Sequence, residues 1–492
     1  MDELKTQHAI KIKPTRIALS LLSVSFVIML LSLLGQRFRF FGGYSISGPV
    51  QEYFLDTFIF EFFINNEGNI ATFWNTLLLI ITSALAFVIG SAKFSQKDKY
   101  RFEWLLLGLV FLYLSMDESA IIHEKFSILL KNMPDVNGWA HYKWIYAGAA
   151  AVLLLMVMFI RFYFHLDLRN KILFPVAMGL YLGGAFGGEL FSGHYAQANG
   201  TKNIVYMLMT HGEELGEHIG IILMIFTLLT YLVRNYSKIG LTTRSVNNTA
   251  EDSHHKIKID PAKSIIVFFS VSLTIVIFSL LGQREYYTGN PTEKFFRELF
   301  TTEFFVNNSE NIATYWNMLL LTIMSVSAFA IASIKRMQKS KHRYEWLGLG
   351  IMFSYFAMDE LSGVTHRFAK LLKDLPTMEG GFLYNWFYPV AAVIVILVLV
   401  FFIWFTLRLD MQKKYLFPIS IVLYAMGAFR AELFSGRYAE MYGTTTTGYL
   451  YLTHVEEFVE YIGITLMIYL LFTYFSTLVS EIEFTSQELE PK

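Results

Sequence analysis

The chain has no cysteine in 492 residues. That excludes disulfides, thiolate metal ligands and a cysteine nucleophile, so any metal must be held by carboxylate oxygen and imidazole nitrogen. Charge is scarce too: 16% of residues are charged, where soluble domains carry roughly 25%. Forty Lys and Arg balance forty Asp and Glu, so net charge points to neither an acidic nor a basic partner. No motif for nucleic acid stands out, and nucleic acid is not an expected partner. What fills the chain instead is apolar. Hydrophobic residues make up 54% and aromatics 17%, in runs that reach the roughly 20 residues needed to span a bilayer. The expected fold class is therefore all-α, a polytopic membrane protein whose partner is the lipid bilayer. The first apolar run carries no small-residue cleavage site and reads as a retained helix rather than a signal peptide.

The chain repeats itself. "SLLGQR" occurs at Ser32 and Ser279, and "EFFINNEGNIATFWN" at Glu61 matches "EFFVNNSENIATYWN" at Glu303. "YRFEWLLLGLVFLYLSMDE" at Tyr100 matches "HRYEWLGLGIMFSYFAMDE" at His342, and "ELFSG" and "TH-x-EE" recur in the same order. A near-constant offset over so many segments indicates tandem duplication. Apolar runs predict helices near 17–35, 70–92, 102–124, 143–165, 171–192 and 203–233. The second copy predicts 264–282, 312–334, 344–366, 385–407, 415–436 and 448–475, about twelve spans in all as two parallel six-helix repeats. The division expected is a first repeat over 1–233, a cytoplasmic linker 234–263, a second repeat 264–475 and a cytoplasmic tail 476–492. Amphipathic segments at Glu52–Phe63 and Lys294–Phe305 are expected to lie on the membrane surface.

Cations set the orientation. Lys5, Lys11, Lys13 and Arg16 precede the first helix, and Lys93, Lys97, Lys99 and Arg101 separate the second from the third. Arg161, Arg169 and Lys171 separate the fourth from the fifth. The positive-inside rule then places both termini in the cytoplasm. On that topology the polar motifs converge at one depth near the outer leaflet. Asp117, Glu118, His123 and Glu124 end helix three, and Glu189 ends helix five. His211, Glu213, Glu214, Glu217 and His218 begin helix six.

Seven residues make nearly two turns, so His211, Glu214 and His218 form one stripe, and Asp117 and Glu124 another. With Glu189 these are the expected metal ligands of the first copy. The matching positions in the second are Asp359, His366, Glu432, His454 and Glu457, with Tyr461 in place of His218. An ionised side chain at a helix centre costs about 2.5–3.5 kcal/mol, and a divalent ion turns carboxylate repulsion into attraction. Oxygen and imidazole donors suit zinc, iron or manganese. Four carboxylates with two histidines also match the inventory of helical di-iron sites, although those use Glu-x-x-His and this chain has His211-x-x-Glu214. Glu213 and Glu217 face away from the stripe, which suits helix pairing, and the Asn65, Asn66 and Asn69 group suits capping or a lid. Arg430 stands where the first copy has Gly187, and a guanidinium can neutralise carboxylates, so the first copy is expected to hold the working site.

"NNEGNIATFWNTLLL", "YLSMDESAIIHEKF" and "THGEELGEHIGIILMIF" together resemble a loose group of bacterial six-helix membrane proteins without established activity. That group carries an Asn-Ile-Pro-Thr-Trp-like start to helix two, an Asp-Glu…His-Glu helix and a Glu-Glu near the last helix. The present chain is doubled and has Ala71 and Ala313 at the proline position. The resemblance covers each half nearly end to end and implies the fold, the site positions and a bacterial inner membrane. Ceramidase-like transmembrane hydrolases fit less well, since they have seven helices and a closing His-x-x-x-His.

The residues lead to a metal-dependent membrane protein acting on a lipid or envelope substrate, with Glu118 or Glu217 as general base. The alternative is a proton- or cation-coupled transporter or channel using the same acids. Against it stand the lopsided depth of the acids and the inner helix halves, which offer no ionisable stepping stones.

Overall fold

The computed structural model describes residues 7–9, 11–41, 49–129, 144–242, 255–257, 260–288, 299–306, 308–365, 367, 400, 403–409, 414–430, 436–443, 446–479 and 481–486. In the first repeat α1 spans Pro14–Phe41, α2 Pro49–Phe62, α3 Ile70–Ser95, α4 Arg101–Ala120 and α5 Ile122–Leu129. α6 spans Trp144–His165 and α7 Leu168–Leu182, and α7 runs through a π-helical turn, Gly183–Gly188, into α8, Glu189–Asn199. α9 closes the repeat over Ile204–Asn235. In the second repeat α10 spans Pro261–Thr288, α11 Ile312–Met337, α12 Arg343–Ser362, α13 Leu416–Arg430, α14 Gly436–Tyr442 and α15 Thr447–Leu478. The predicted fourth helix of this repeat lies mostly outside the described residues. Among the described residues, eight helices are long and apolar enough to cross a membrane. The protein is an all-α, multi-pass membrane protein of two repeated domains.

The chain divides into two compact units, Met1–Lys258 with Val479–Lys492, and Ile259–Leu478. The first also contains a small sheet of order β1-β2-β4-β3, from β1 Gln7–Ala9, β2 Tyr236–Thr242, β3 His255–Ile257 and β4 Glu481–Ser486. All its pairs are antiparallel. The linker and tail thus contribute strands, which their polar composition does not suggest.

The same devices hold each repeat together. Asn69 caps α3 by accepting from the Thr72 amide at 2.9 Å, and Asn311 caps α11 through Thr314 at the same distance. Each asparagine also donates to two carbonyls of the preceding segment, Phe60 and Phe63 or Thr302 and Phe305. The capping role expected for Asn69 is therefore seen, with an added tie to the segment before the helix. Trp74 donates to Ser25 on α1 at 2.8 Å, and Trp316 to Ser272 on α10 at 2.9 Å. Ser83 donates to the Gly108 carbonyl and Ser325 to the Gly350 carbonyl, locking each hairpin of α3 with α4 and α11 with α12. Between apolar helices in lipid, such short polar ties and small contact residues do what the hydrophobic effect does in water. Trp104 anchors the first core against Phe162 and Tyr231, with ring centroids 5.0 and 4.8 Å away. Trp346 does the same against Phe405 and Tyr474, both at 5.1 Å.

The turn after the third helix of each repeat differs from expectation. The apolar run predicts a helix continuing to Glu124, but α4 ends at Ala120 because Ile121 adopts the left-handed conformation, φ 52°. The Asp117 carboxylate accepts from the His123 amide at 2.7 Å and so draws the chain out of the helix. Gly363 occupies the same turn after α12 at φ 63°, with Asp359 accepting from the Thr365 amide at 2.7 Å. Glycine tolerates this conformation, and a Cβ there would meet no atom of the described residues within 4 Å, so backbone strain is what opposes substitution. Gly363→Ala is expected to lower stability by about 1 kcal/mol, read as a lower thermal midpoint of the detergent-purified protein.

Between α3 and α4, Asp98 accepts from the Tyr100 amide at 2.8 Å and from Lys93 at 3.0 Å. Burial pushes its carboxyl up, but these two donors outweigh it and hold it below its ordinary value. A carboxyl lowered on folding adds stability above its unfolded value and loses it as pH falls through the folded one. The midpoint gap between wild type and Asp98→Asn is therefore expected at pH 7 and should close as pH drops below about 4.

Candidate functional site

α9 places its acidic and imidazole residues within two turns, and three neighbouring helices supply the rest. His211 is buried, but it faces α1 rather than the acids. Its Nε2 lies 2.8 Å from Ser32 Oγ and its Nδ1 2.7 Å from the Met207 carbonyl. A carbonyl can only accept, so Nδ1 carries the proton and Nε2 accepts from the Ser32 hydroxyl. Ser32 in turn accepts from the Ile64 amide at 3.1 Å. The second repeat has the same chain: Val306 N–H to Ser279 at 3.2 Å, Ser279 to His454 Nε2 at 2.7 Å, and His454 Nδ1 to the Leu450 carbonyl at 2.7 Å. Both histidines are thus structural ties, with each ring nitrogen engaged.

Asp117 likewise turns outward. Beyond its bond to the His123 amide, its second oxygen pairs with His123 Nδ1 at 3.1 Å. The His123 ring lies beside Trp144 at 4.8 Å, and the indole N–H donates to Glu189 at 3.0 Å. Glu124 is exposed, so the break at Ile121 leaves the Asp117–Glu124 stripe unformed. In the second repeat Asp359 is half-buried, while His366 and Glu432 lie outside the described residues.

A second cluster sits deeper. Asn75 on α3 hydrogen-bonds the Glu118 carboxylate on α4. Glu214 and Glu217 on α9 lie within electrostatic reach of Glu118, Glu213 and Glu67. In the second repeat Asn317 hydrogen-bonds Glu360 and donates to Glu460 at 3.1 Å, with Glu457 alongside. Composition and spacing do not single out the amide at the centre of each cluster. Its signal is present in "ATFWN" and "ATYWN", where the asparagine falls inside an otherwise apolar span. Glu217, which the stripe geometry turns towards helix pairing, matches Glu460 of the second repeat, the acid that accepts from Asn317.

Glycine makes the approach possible. A Cβ on Gly184 would stand 2.6 Å from Glu217 Cγ and 2.7 Å from the Glu213 carbonyl. On Gly427 it would stand 2.8 Å from the Glu460 amide and 2.9 Å from the Glu456 carbonyl. No side chain fits there, so the π turn after α7, and α13, can press their backbones onto the acidic faces of α9 and α15. The π-helical turn at Gly183–Gly188 lies at this contact, where such turns often mark function.

His218 differs from His211 and His454. It is 0% exposed, and neither ring nitrogen has a hydrogen-bond partner among the described residues. Among those residues, no three His, Asp or Glu side chains are disposed to hold one metal ion.

The sequence profile described as Domain of unknown function (DUF8692) matches residues 21–232 and again 266–475. The chain belongs to that family, with two tandem copies. No curated protein and no solved structure matches it.

The Ser–His ties are separately testable. Ser32→Ala strands both the Ile64 amide and His211 Nε2, and is expected to cost about 1–3 kcal/mol. Ser279→Ala should cost a similar amount, and the two losses should add within about 0.5 kcal/mol, in thermal unfolding of the detergent-purified protein.

Proposed function

We propose that this duplicated member of the DUF8692 family exchanges a proton, or a small cation in its place, across part of the bilayer at a buried carboxylate cluster in each repeat. One observation carries this reading: Glu118 bonds Asn75 with Glu214 and Glu217 within its electrostatic reach, and Glu360 and Glu460 bond Asn317 with Glu457 alongside. No lysine or arginine among the described residues faces either group. An amide can donate two hydrogen bonds but neutralises no charge. Three ionised acids inside apolar helices would cost about 2.5–3.5 kcal/mol each, so protons or a cation must offset them. Carboxylates that crowd together and share protons are the groups that hand protons on. The recurrence of the cluster in both repeats, on the same helices, supports a role beyond packing.

This shifts weight away from the metal-dependent reading, since the two most promising imidazoles, His211 and His454, are hydrogen-bonded at both nitrogens. One observation still favours that second reading, the two His218 nitrogens without partners among the described residues. Zinc, iron or manganese would there be held by His218 with Glu118, Glu189 and Glu214 drawn together. Stoichiometric metal in the purified protein, lost in His218→Ala/Glu214→Ala, would establish it.

The exchange reading is tested by reconstituting the whole chain into liposomes that enclose a pH-sensitive dye. Glu118→Gln/Glu360→Gln keeps shape and hydrogen bonding but removes the central acid of each cluster. A drop of about tenfold or more in proton-driven dye response, relative to wild type, is expected. Wild-type flux that the double variant leaves unchanged would sink the reading, as would no flux in wild type with either protons or alkali cations.

A further inference from the structure

One amide in each repeat is bonded on its nitrogen and left open on its oxygen. Asn317 on α11 is 2% exposed. Its side-chain nitrogen donates to Glu460 Oε1 at 3.1 Å, and the same side chain hydrogen-bonds the Glu360 carboxylate. Its Oδ1 has no hydrogen-bond partner among the described residues. Asn75 on α3 repeats the arrangement. It is also 2% exposed, its side chain bonds Glu118, and Oδ1 has no partner among the described residues. The oxygen and nitrogen of an amide share one carbon in one plane. The open oxygen therefore lies at the edge of the acids that the nitrogen holds.

An amide oxygen and ionised carboxylates can only accept hydrogen bonds. Glu213 Oε2, within electrostatic reach of Glu217, is a further buried acceptor without a partner among the described residues. A bridging water would fill such acceptors with its two hydrogens but would bring no charge. Charge is the second shortfall, because no lysine or arginine among the described residues faces either group of acids. A cation meets both needs, since it binds oxygen lone pairs and offsets the carboxylates. Oxygen donors suit a hard ion. No three His, Asp or Glu side chains among the described residues are disposed to hold one metal ion, so the acids do not form a divalent cage. A carboxylate beside a neutral carbonyl oxygen suits a single positive charge, as in the alkali-ion sites of membrane proteins. One turn along the same face, Leu78 and Leu79 on α3 and Leu320 and Leu321 on α11 are 0% exposed. An ion seated at the amide therefore stands against apolar core and must trade water for protein oxygen.

We infer that each repeat binds one small alkali cation of the sodium class, held by the amide oxygen of Asn75 with the Glu118 carboxylate in the first repeat and by that of Asn317 with the Glu360 carboxylate in the second. The inference rests on the exchange reading and deepens it by naming the ion and its neutral ligand. The amide then has two tasks. Its nitrogen fixes a carboxylate, and its oxygen replaces part of the ion's hydration shell. The neighbouring acids, Glu214 and Glu217 or Glu457 and Glu460, add the negative field that draws a cation into the span. A proton shared between the amide oxygen and a carboxylate is the competing occupant, and direct binding separates the two.

The full-length chain is purified in detergent without alkali salts, and equilibrium binding of radioactive sodium is counted per chain. N-methylglucamine chloride holds the ionic strength constant. Wild type is expected to bind sodium saturably, one ion per repeat. Asn75→Leu or Glu118→Gln should weaken one of the two sites by about tenfold or more and spare the other. Asn317→Leu or Glu360→Gln should do the converse, and Asn75→Leu/Asn317→Leu should lose both. The spared site in each single variant shows that the chain is folded. Where a leucine variant fails to fold, the glutamine variants decide, since glutamine keeps the shape of glutamate. Sodium should also raise the thermal midpoint of wild type with concentration, and leave that of Glu118→Gln/Glu360→Gln unmoved. No saturable sodium in wild type, or binding indifferent to these substitutions, overturns the inference. Flux lost in Glu118→Gln/Glu360→Gln with no sodium bound would keep the exchange reading for protons and remove the cation site. Sodium bound as expected without any flux would keep the site and remove the exchange.

Discussion

The hydrogen-bonded chain from the Ile64 amide through Ser32 to His211 and the Met207 carbonyl is the constraint on which the first repeat's site depends. It joins three parts of the chain far apart in sequence: α1, the segment before α3, and the start of α9. The carbonyl of Met207 dictates the tautomer, the tautomer makes Nε2 an acceptor, and the serine hydroxyl can then satisfy the imidazole while accepting from a backbone amide. Every group in that chain has its partner, which matters most where water is excluded. With α9 fixed in rotation by His211, Glu213 and Glu217 pack against the glycines of the π turn. The second repeat rebuilds the same chain through Ser279 and His454, and its acids occupy the same faces.

Comparison of the repeats separates scaffold from function. Capping asparagines, Trp–Ser ties, the serine-to-glycine-carbonyl bonds and the buried Trp cores are shared. Among the differences, Thr76 and His218 stand against Met318 and Tyr461, and at one turn Ile121 stands against Gly363. The expectation from sequence that the first copy holds the working site rests on Arg430, whose side chain lies outside the described residues.

Much of this architecture is legible in the residues alone. Helix positions follow from apolar runs, because a lipid-spanning helix must be long and almost uncharged. The repeats follow from plain matching of "SLLGQR", "NIAT" and "MDE". The gathering of acids from α4 and α9 at one depth follows from helix parity. Helical periodicity fails at Asp117, where a carboxylate bonding to the His123 amide ends the helix and turns Glu124 to the surface. It also fails to rank the histidines. His211 and His218 share a stripe, yet one is fully bonded and the other has no partner among the described residues.

The sequence by itself determined that the chain is a duplicated, helical membrane protein with costly acids and imidazoles held in its spans, because composition and length alone settle what lipid can accept. Only the tertiary structure decided which of those side chains are spent on holding helices together and which are left over. A hydrogen bond is made or missed by a few tenths of an ångström across a helix seam. Ser32, Asn75 and Gly184 look ordinary in the sequence until the fold brings their partners within reach.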